Sequence, residues 1–305
     1  MSELLLSTSA LTKQFGRHKA VDQVSMHIKR GAIYGFIGRN GAGKTTTLRM
    51  IGGLASPTAG EIEMFGCRGR ELKQIRSRVG CLIEGPGLYG NMTARDNMKM
   101  KCLLLGVQKK GYIEELLEVV GLKDVGKKHV KRYSLGMKQR LGIAMALIGE
   151  PDLLVLDEPI NGLDPQGIAE VRETLLRLNK ERNMTILISS HILEELSKIA
   201  TDYGIIHQGT LLQEITDEEL RERCSERLEI TLSSPELAIP VLDRLGIRRY
   251  QVMDKEHIYV FERLDESARL NMEFAKAGIP VKGLAVTNEE LETYFLNLTG
   301  GNAHA

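Results

Sequence analysis

Net charge is almost absent from this chain: 41 lysines and arginines stand against 40 aspartates and glutamates, a formal +1 over 305 residues. Binding nucleic acid through its phosphates therefore has no global electrostatic support. Cysteine is scarce as well. Cys67, Cys81, Cys102 and Cys224 form neither a C-x-x-C pair nor a metal-ligand spacing, so they read as isolated thiols of a reducing compartment, and the cytoplasm is the expected setting. Long apolar runs are missing too. Nowhere do eighteen apolar residues follow one another, so the chain is expected not to span a bilayer itself. The opening MSELLLSTSALTKQF carries an acid where a signal peptide wants positive charge, and no export signal is expected. What remains is an ordinary composition, long enough for one large domain and a smaller one.

The chemistry begins at AIYGFIGRNGAGKTTTLRMIGGL. An apolar strand through Ile33 to Ile37 runs into a glycine-rich turn, and a helix starts near Gly43 and Lys44. Gly38, Gly43, Lys44 and Thr45 fill the pattern G-x-x-x-x-G-K-[ST], with Asn40, Gly41 and Thr46 in the same nucleotide-binding stretch. Glycines let the backbone wrap close enough for its N–H groups to cradle phosphates. Lys44 is expected to reach the outer phosphates, and Thr45 offers a hydroxyl to Mg²⁺.

Further along, PDLLVLDEP is a continuous apolar run suited to a strand buried on both faces of a parallel sheet. It ends in two carboxylates. Asp157 stands at the strand's carboxyl end, where open α/β sheets place ligands, and suits a Mg²⁺ shell. Glu158 is the candidate to orient or deprotonate an attacking water. A second buried strand, MTILISSH, delivers His191 to the same sheet edge, where an imidazole can hydrogen-bond a γ-phosphate; a structural histidine after a strand is the competing reading. In YSLGMKQRLGIAMALIGEPD, Ser134 and Gly136 open a helix whose first amides have no partners inside it, an anion site far along the chain from the phosphate loop. The basic stretch KKHVKRY just before it reads as a solvated face, with a steering role open.

In this order the motifs resemble the nucleotide-binding domain of ABC transporters over residues 1 to about 215. The resemblance implies an α/β P-loop NTPase cassette: a mostly parallel sheet core, an antiparallel β part, and a helical subdomain at about 85–149 carrying the signature Tyr133 to Met137. It also implies head-to-tail pairing, with Ser134 and Gly136 facing an ATP held by the second subunit's phosphate loop. Leu135 and Met137 depart from the family's glycine and glutamine. Phe15 falls where the family stacks an aromatic on adenine, a buried core Phe being the competing reading, and Asp164 falls in the inter-subunit loop, where a turn aspartate is the alternative. In VGCLIEGPGLYGNMTARDN the switch loop usually carries glutamine, and this chain has Glu84, a stronger Mg²⁺ ligand. Glu84 together with SLGMKQR resembles the bacitracin-resistance and lantibiotic self-protection exporters.

The resemblance implies ATP and Mg²⁺ as cofactors, a separate membrane-spanning permease, a second ATP-binding subunit in a homodimer, no nucleic acid, and a peripheral place on the cytoplasmic face of the membrane. Leu88, Tyr89 and Met92 are candidates for permease docking, with core packing as the alternative. Two rivals stand beside this. A soluble ABC ATPase of ribosomes or DNA usually carries two cassettes or long coiled coils; here there is one phosphate loop and no sustained heptad pattern. A P-loop GTPase or small-molecule kinase lacks an N-K-x-D motif here and leaves Ser134, Gly136 and His191 without a role.

Beyond about residue 215 the resemblance fades. TDEEL, with capping-box spacing from Thr216 to Glu219, opens a linker helix over 216–227. Residues 228–299 read as β-α-β-β-α-β plus a helix capped by Thr287 with Glu290, a ferredoxin-like α+β domain whose first helix is interrupted at Pro240. Residues 300–305 are expected to be a disordered tail.

Overall fold

A computed structural model describes residues 3–287 and 291–299. The chain divides into two compact units, Met1–Asp217 and Glu218–Ala305. In the first unit, β1 (Leu4–Phe15) pairs antiparallel with β2 (His18–Val24), β3 (His27–Lys29) and β5 (Ala59–Met64), and β5 continues to β6 (Cys67–Arg68). The second sheet holds β4 (Ile33–Ile37), β7 (Val79–Leu82), β8 (Leu153–Asp157), β9 (Thr185–Ser190), β10 (Asp202–His207) and β11 (Thr210–Thr216) in the order β11-β10-β4-β9-β8-β7. All its neighbours are parallel except β10 and β11, which form a hairpin.

Parallel strands need crossover connections, and helices on both faces bury them completely. That is why IYGFI and LLVL are apolar or aromatic throughout; every residue of β4 and β9 is buried, and the three hydroxyls of TILISS, Thr185, Ser189 and Ser190, each make a hydrogen bond. One core joins the two sheets: Leu6, Leu11 and Val21 cluster with Tyr34, Phe36, Leu153, Val155 and Leu187, and with Leu48 and Ile51 of α1 (Lys44–Ile51).

Between β7 and β8 the chain is helical: α2 (Ala94–Leu105), α3 (Tyr112–Val119) and α4 (Leu135–Ala146). Thr93 and Asp96 close a reciprocal capping box on α2, and Gly106 ends that helix in the left-handed conformation. Helix α5 (Pro165–Arg182) ties this segment down. Glu170 meets Arg140 of α4 at 2.9 Å, Arg182 meets Glu115 of α3 at 2.8 Å, and Arg177 donates to the Val119 carbonyl. Arg140 is itself buried and also donates to the Val120 carbonyl, at 3.0 Å. A short α6 (Leu193–Leu196) follows β9, and α7 (Asp217–Arg223) leads out of β11.

The second unit runs β12 (Arg227–Leu232), α8 (Ile239–Arg244), β13 (Tyr250–Val252), β14 (His257–Val260), α9 (Ser267–Lys276), β15 (Val281–Thr287) and α10 (Leu291–Leu298). Its sheet order is β13-β14-β12-β15, with every neighbouring pair antiparallel. Alternation splits the sheet in two. Leu228, Ile230 and Leu232 of β12 and Ile258 and Val260 of β14 pack on Val241, Leu242, Leu270 and Phe274, while Arg227 lies on the other face with its guanidinium 4.4 Å from the Tyr259 ring. Pro240 does not interrupt a helix, which corrects the sequence reading. A 3₁₀ turn at Pro235–Leu237 precedes α8, and Pro240 sits in the first turn of α8, where the missing N–H has no partner to lose. Glu290, expected to cap the last helix, and the expected tail at 300–305 lie outside the described residues.

Candidate functional site

Register places the motifs together. Strand β9 lies between β4 and β8, with Ser190 opposite Ile37 and Ser189 opposite Asp157. The loop after Ile37, the acids at the end of β8 and His191 after β9 therefore share one carboxyl edge, where open parallel sheets hold ligands.

The loop's glycines are sterically required at two points. A Cβ at Gly38 would lie 2.5 Å from the Ile206 carbonyl oxygen; one at Gly43 would lie 2.5 Å from the Ala20 oxygen, and the φ of +106° there is already left-handed. The amides of Gly41, Gly43 and Lys44 find no acceptor among the described residues, which is the array of outward N–H groups that a phosphate fills. Lys44 is 5% exposed, and its ammonium folds back over the loop to the carbonyls of Gly38, at 2.6 Å, and Arg39, at 3.3 Å. Asn40 and Gly41 are exposed, and Thr46 is half-buried.

Thr45 donates its hydroxyl to Asp157 at 2.8 Å. Ser189 donates to the other Asp157 oxygen at 2.6 Å and accepts from the Glu158 amide at 3.0 Å, so one serine orients both acids. Sequence reasoning passed over Ser189; the signal was its place two residues before the candidate histidine at a buried strand end. Glu158 has a φ of +47°, rare for a residue with a Cβ. One carboxylate oxygen takes His191 Nδ1 at 2.8 Å. The other stands 3.1 Å from Lys44 Nζ yet is buried and accepts no hydrogen bond from the described residues. A buried acceptor of that kind seeks an O–H or N–H donor.

Thr45 and Asp157 supply adjacent hard oxygen donors, the set a Mg²⁺ ion takes alongside phosphate oxygens. Among the described residues no three His, Cys, Asp or Glu side chains cluster as a self-sufficient metal site. The Glu84 carboxylate is engaged by a basic side chain. The residue is exposed with a φ of +65°, and its carboxylate is bonded to Arg49 of α1, whose hydrogen bond holds it below the usual carboxylate range. Arg49 was not singled out in the sequence, because only the fold brings α1 to the switch loop. Glu84 also lines a groove of about 620 Å³ with Pro86, Leu88, Lys131 and Lys138. Tyr89 beside it is 56% exposed.

Ser134 caps α4, accepting from the Met137 amide at 3.2 Å. Gly136 is buried where α4 lies against the start of α5, and a Cβ there would make only ordinary contact, 3.5 Å from Gly167 Cα, so packing within the chain does not require a glycine. Asp164 caps α5, accepting from the Gly167 amide at 3.3 Å. Phe15, at the end of β1, is 53% exposed with the Lys13 ammonium 5.1 Å from its ring; it is not a core side chain.

A family model described as ABC transporter matches residues 21–161. Over 299 residues the chain is 46% identical to the bacitracin transport ATP-binding protein BcrA of Bacillus licheniformis, across 97% of this chain and 98% of that one. Over 210 residues it is 46% identical to the lantibiotic transport ATP-binding protein SrtF of Streptococcus pyogenes, across 69% and 90%. A solved ATP-binding subunit of an ABC transporter is similar with a TM-score of 0.63 at 29% identity, covering 72% of this chain and 92% of that one. A dimeric ATP-binding cassette in a post-hydrolysis state, bound to ADP and phosphate, shares the fold with a TM-score of 0.62 at 24% identity, covering 69% and 98%.

Proposed function

The chain belongs to the ABC transporter family as an ATP-binding, ATP-hydrolysing subunit, and from that premise we propose that it drives a separate permease exporting a peptide antibiotic of the bacitracin or lantibiotic kind. The observation carrying the catalytic part of the reading is the buried, donor-seeking oxygen of Glu158 facing Lys44, with His191 on the other oxygen.

In this reading the loop amides and Lys44 bind the β- and γ-phosphates, and Phe15 stacks on the adenine. Lys44 exchanges Glu158 for the γ-phosphate, which leaves the carboxylate free to take a proton from the attacking water. His191 orients that carboxylate through Nδ1 and reaches the phosphate with its far edge. Ser189 fixes Asp157 and the Glu158 backbone. Thr45 and Asp157 would hold Mg²⁺, which when bound neutralises phosphate charge; Glu84 would join them only after leaving Arg49.

The dimer is part of the proposal. Ser134 and Gly136 lie at a helix start whose dipole favours a phosphate by up to about 2 kcal/mol, and in a head-to-tail pair they complete the site of the second, identical subunit. ATP then closes the pair, and hydrolysis opens it. The groove at Glu84, Leu88, Lys131 and Lys138 receives the permease. Residues 1–215 form the nucleotide-binding domain with its helical part at 85–149, 216–227 the linker, and 228–299 an accessory domain with the split β-α-β-β-α-β order. Among the described residues no helix is long and apolar enough to cross a membrane, and the permease supplies peripheral attachment at the cytoplasmic face.

The test is co-expression with a candidate permease in a sensitive host. Resistance to bacitracin or a lantibiotic should rise several-fold and vanish with Lys44→Ala. Unchanged sensitivity to both antibiotics, with the complex assembled and hydrolysing ATP, overturns the substrate class.

A further inference from the structure

Helix α2 starts inside the protein and ends outside it. Asn97, Met98 and Cys102 are buried, but the last three residues, Leu103, Leu104 and Leu105, are 66%, 80% and 54% exposed. Successive helical positions are about 100° apart, so three in a row share no single face. They radiate as an apolar knob at the point where Gly106 turns the chain at φ +69°. An exposed run of three leucines is unusual on a soluble surface that has nothing to touch.

The charge around the knob is one-sided. Residues 97–113 contain four lysines and no acid. Lys99, one turn before Leu103, and Lys110, just past Gly106, are exposed and make no close ion pair among the described residues, although Asp96, on the side of Lys99 away from the leucines, attracts that ammonium. Lys109 is held by Glu150 at 2.7 Å, and Lys101 is half-buried near Cys81, so neither is counted.

We propose that Leu103–Leu105, flanked by Lys99 and Lys110, form a seat for an anionic lipid surface. Leucines entering the boundary between headgroups and acyl chains, with ammonium groups left among the phosphates, satisfy both halves of the patch. A protein groove would take one stripe at three- and four-residue spacing; side chains spread over about 200° suit immersion in a fluid layer instead. The seat is argued from its own residues and does not depend on the exported substrate or on a permease.

The chain contains no tryptophan, so Leu104→Trp is a silent-background reporter. On adding phosphatidylglycerol–phosphatidylcholine vesicles to the full-length protein, its emission should shift to the blue, less with phosphatidylcholine alone and less at high salt. In flotation, wild type should rise with the anionic vesicles. Each leucine replaced by serine should weaken that partition on the order of tenfold, and Lys99→Glu with Lys110→Glu should weaken it further, with ATPase activity kept. No emission shift, or flotation unaffected by the serine variants, overturns the proposal. So does loss of permease capture or self-association in the serine variants when wild type ignores vesicles, because the knob is then a protein contact.

Discussion

Replacing Glu158 by glutamine probes the proposed chemistry with little steric change. The side chain keeps its size, and the left-handed backbone at φ +47° is no worse for Gln than for Glu. What changes is the proton affinity of the oxygen beside Lys44 and the charge facing His191, at 3.1 Å and 2.8 Å. A positioned general base contributes about 10² to 10⁴ in rate, so the variant should lose roughly 3 to 5 kcal/mol of transition-state stabilisation. ATP binding should move the other way. Lys44 no longer gives up an ion pair to meet the γ-phosphate, and a charged contact of this kind is worth on the order of 1 kcal/mol net, so affinity should stay level or rise a few-fold. Phosphate release measures the first quantity, titration with a fluorescent ATP analogue the second, and light scattering whether the ATP-loaded variant accumulates as a dimer. Turnover within about fivefold of wild type would remove Glu158 as the base, since even the low end of that range is larger.

Gly43→Ala should abolish ATP binding and cost more than about 2 kcal/mol in urea unfolding, because left-handed strain adds to a Cβ placed 2.5 Å from the Ala20 oxygen; a stable, ATP-binding variant would contradict the loop geometry. Glu84→Gln should keep most ATPase activity while lowering antibiotic resistance, since the Arg49 contact weakens but Thr45 and Asp157 remain; unchanged resistance would count against a switch role for Glu84. Burial pushes the Cys81 thiol up to about 11, so its thiolate fraction at pH 8 is on the order of 10⁻³ and rises only as pH approaches that value; iodoacetamide mapped by mass spectrometry should label Cys81 more slowly than Cys67, and equally rapid labelling of the two in folded protein would contradict the raised thiol. Phe274→Ala empties the core of the second unit, where that ring is fully buried, and should destabilise it by about 3 to 5 kcal/mol; nucleotide binding should survive in calorimetry and equilibrium titration, and its loss would mean that the two units do not fold separately.

Sequence alone determined the elements whose signals are local. IYGFI and LLVLD are strands because a doubly covered parallel strand has no polar face to show, and Gly43, Lys44 and Thr45 carry a spacing that few uses besides phosphate binding require. The order of those motifs was enough to place the chain in its family. Pro240 was misjudged because a proline reads the same at the first turn of a helix as at a break within it, and only the start of α8 distinguishes the two. Tertiary structure alone decided which side chains meet. Thr45 and Asp157 are 112 positions apart in sequence and 2.8 Å apart in space. Ser189 became a positioning group and Arg49 a partner for Glu84 only when β9 slotted between β4 and β8 and α1 came against the switch loop. Those roles depend on contacts between distant segments, and strand order and helix packing create such contacts without leaving any period or spacing in the chain to announce them.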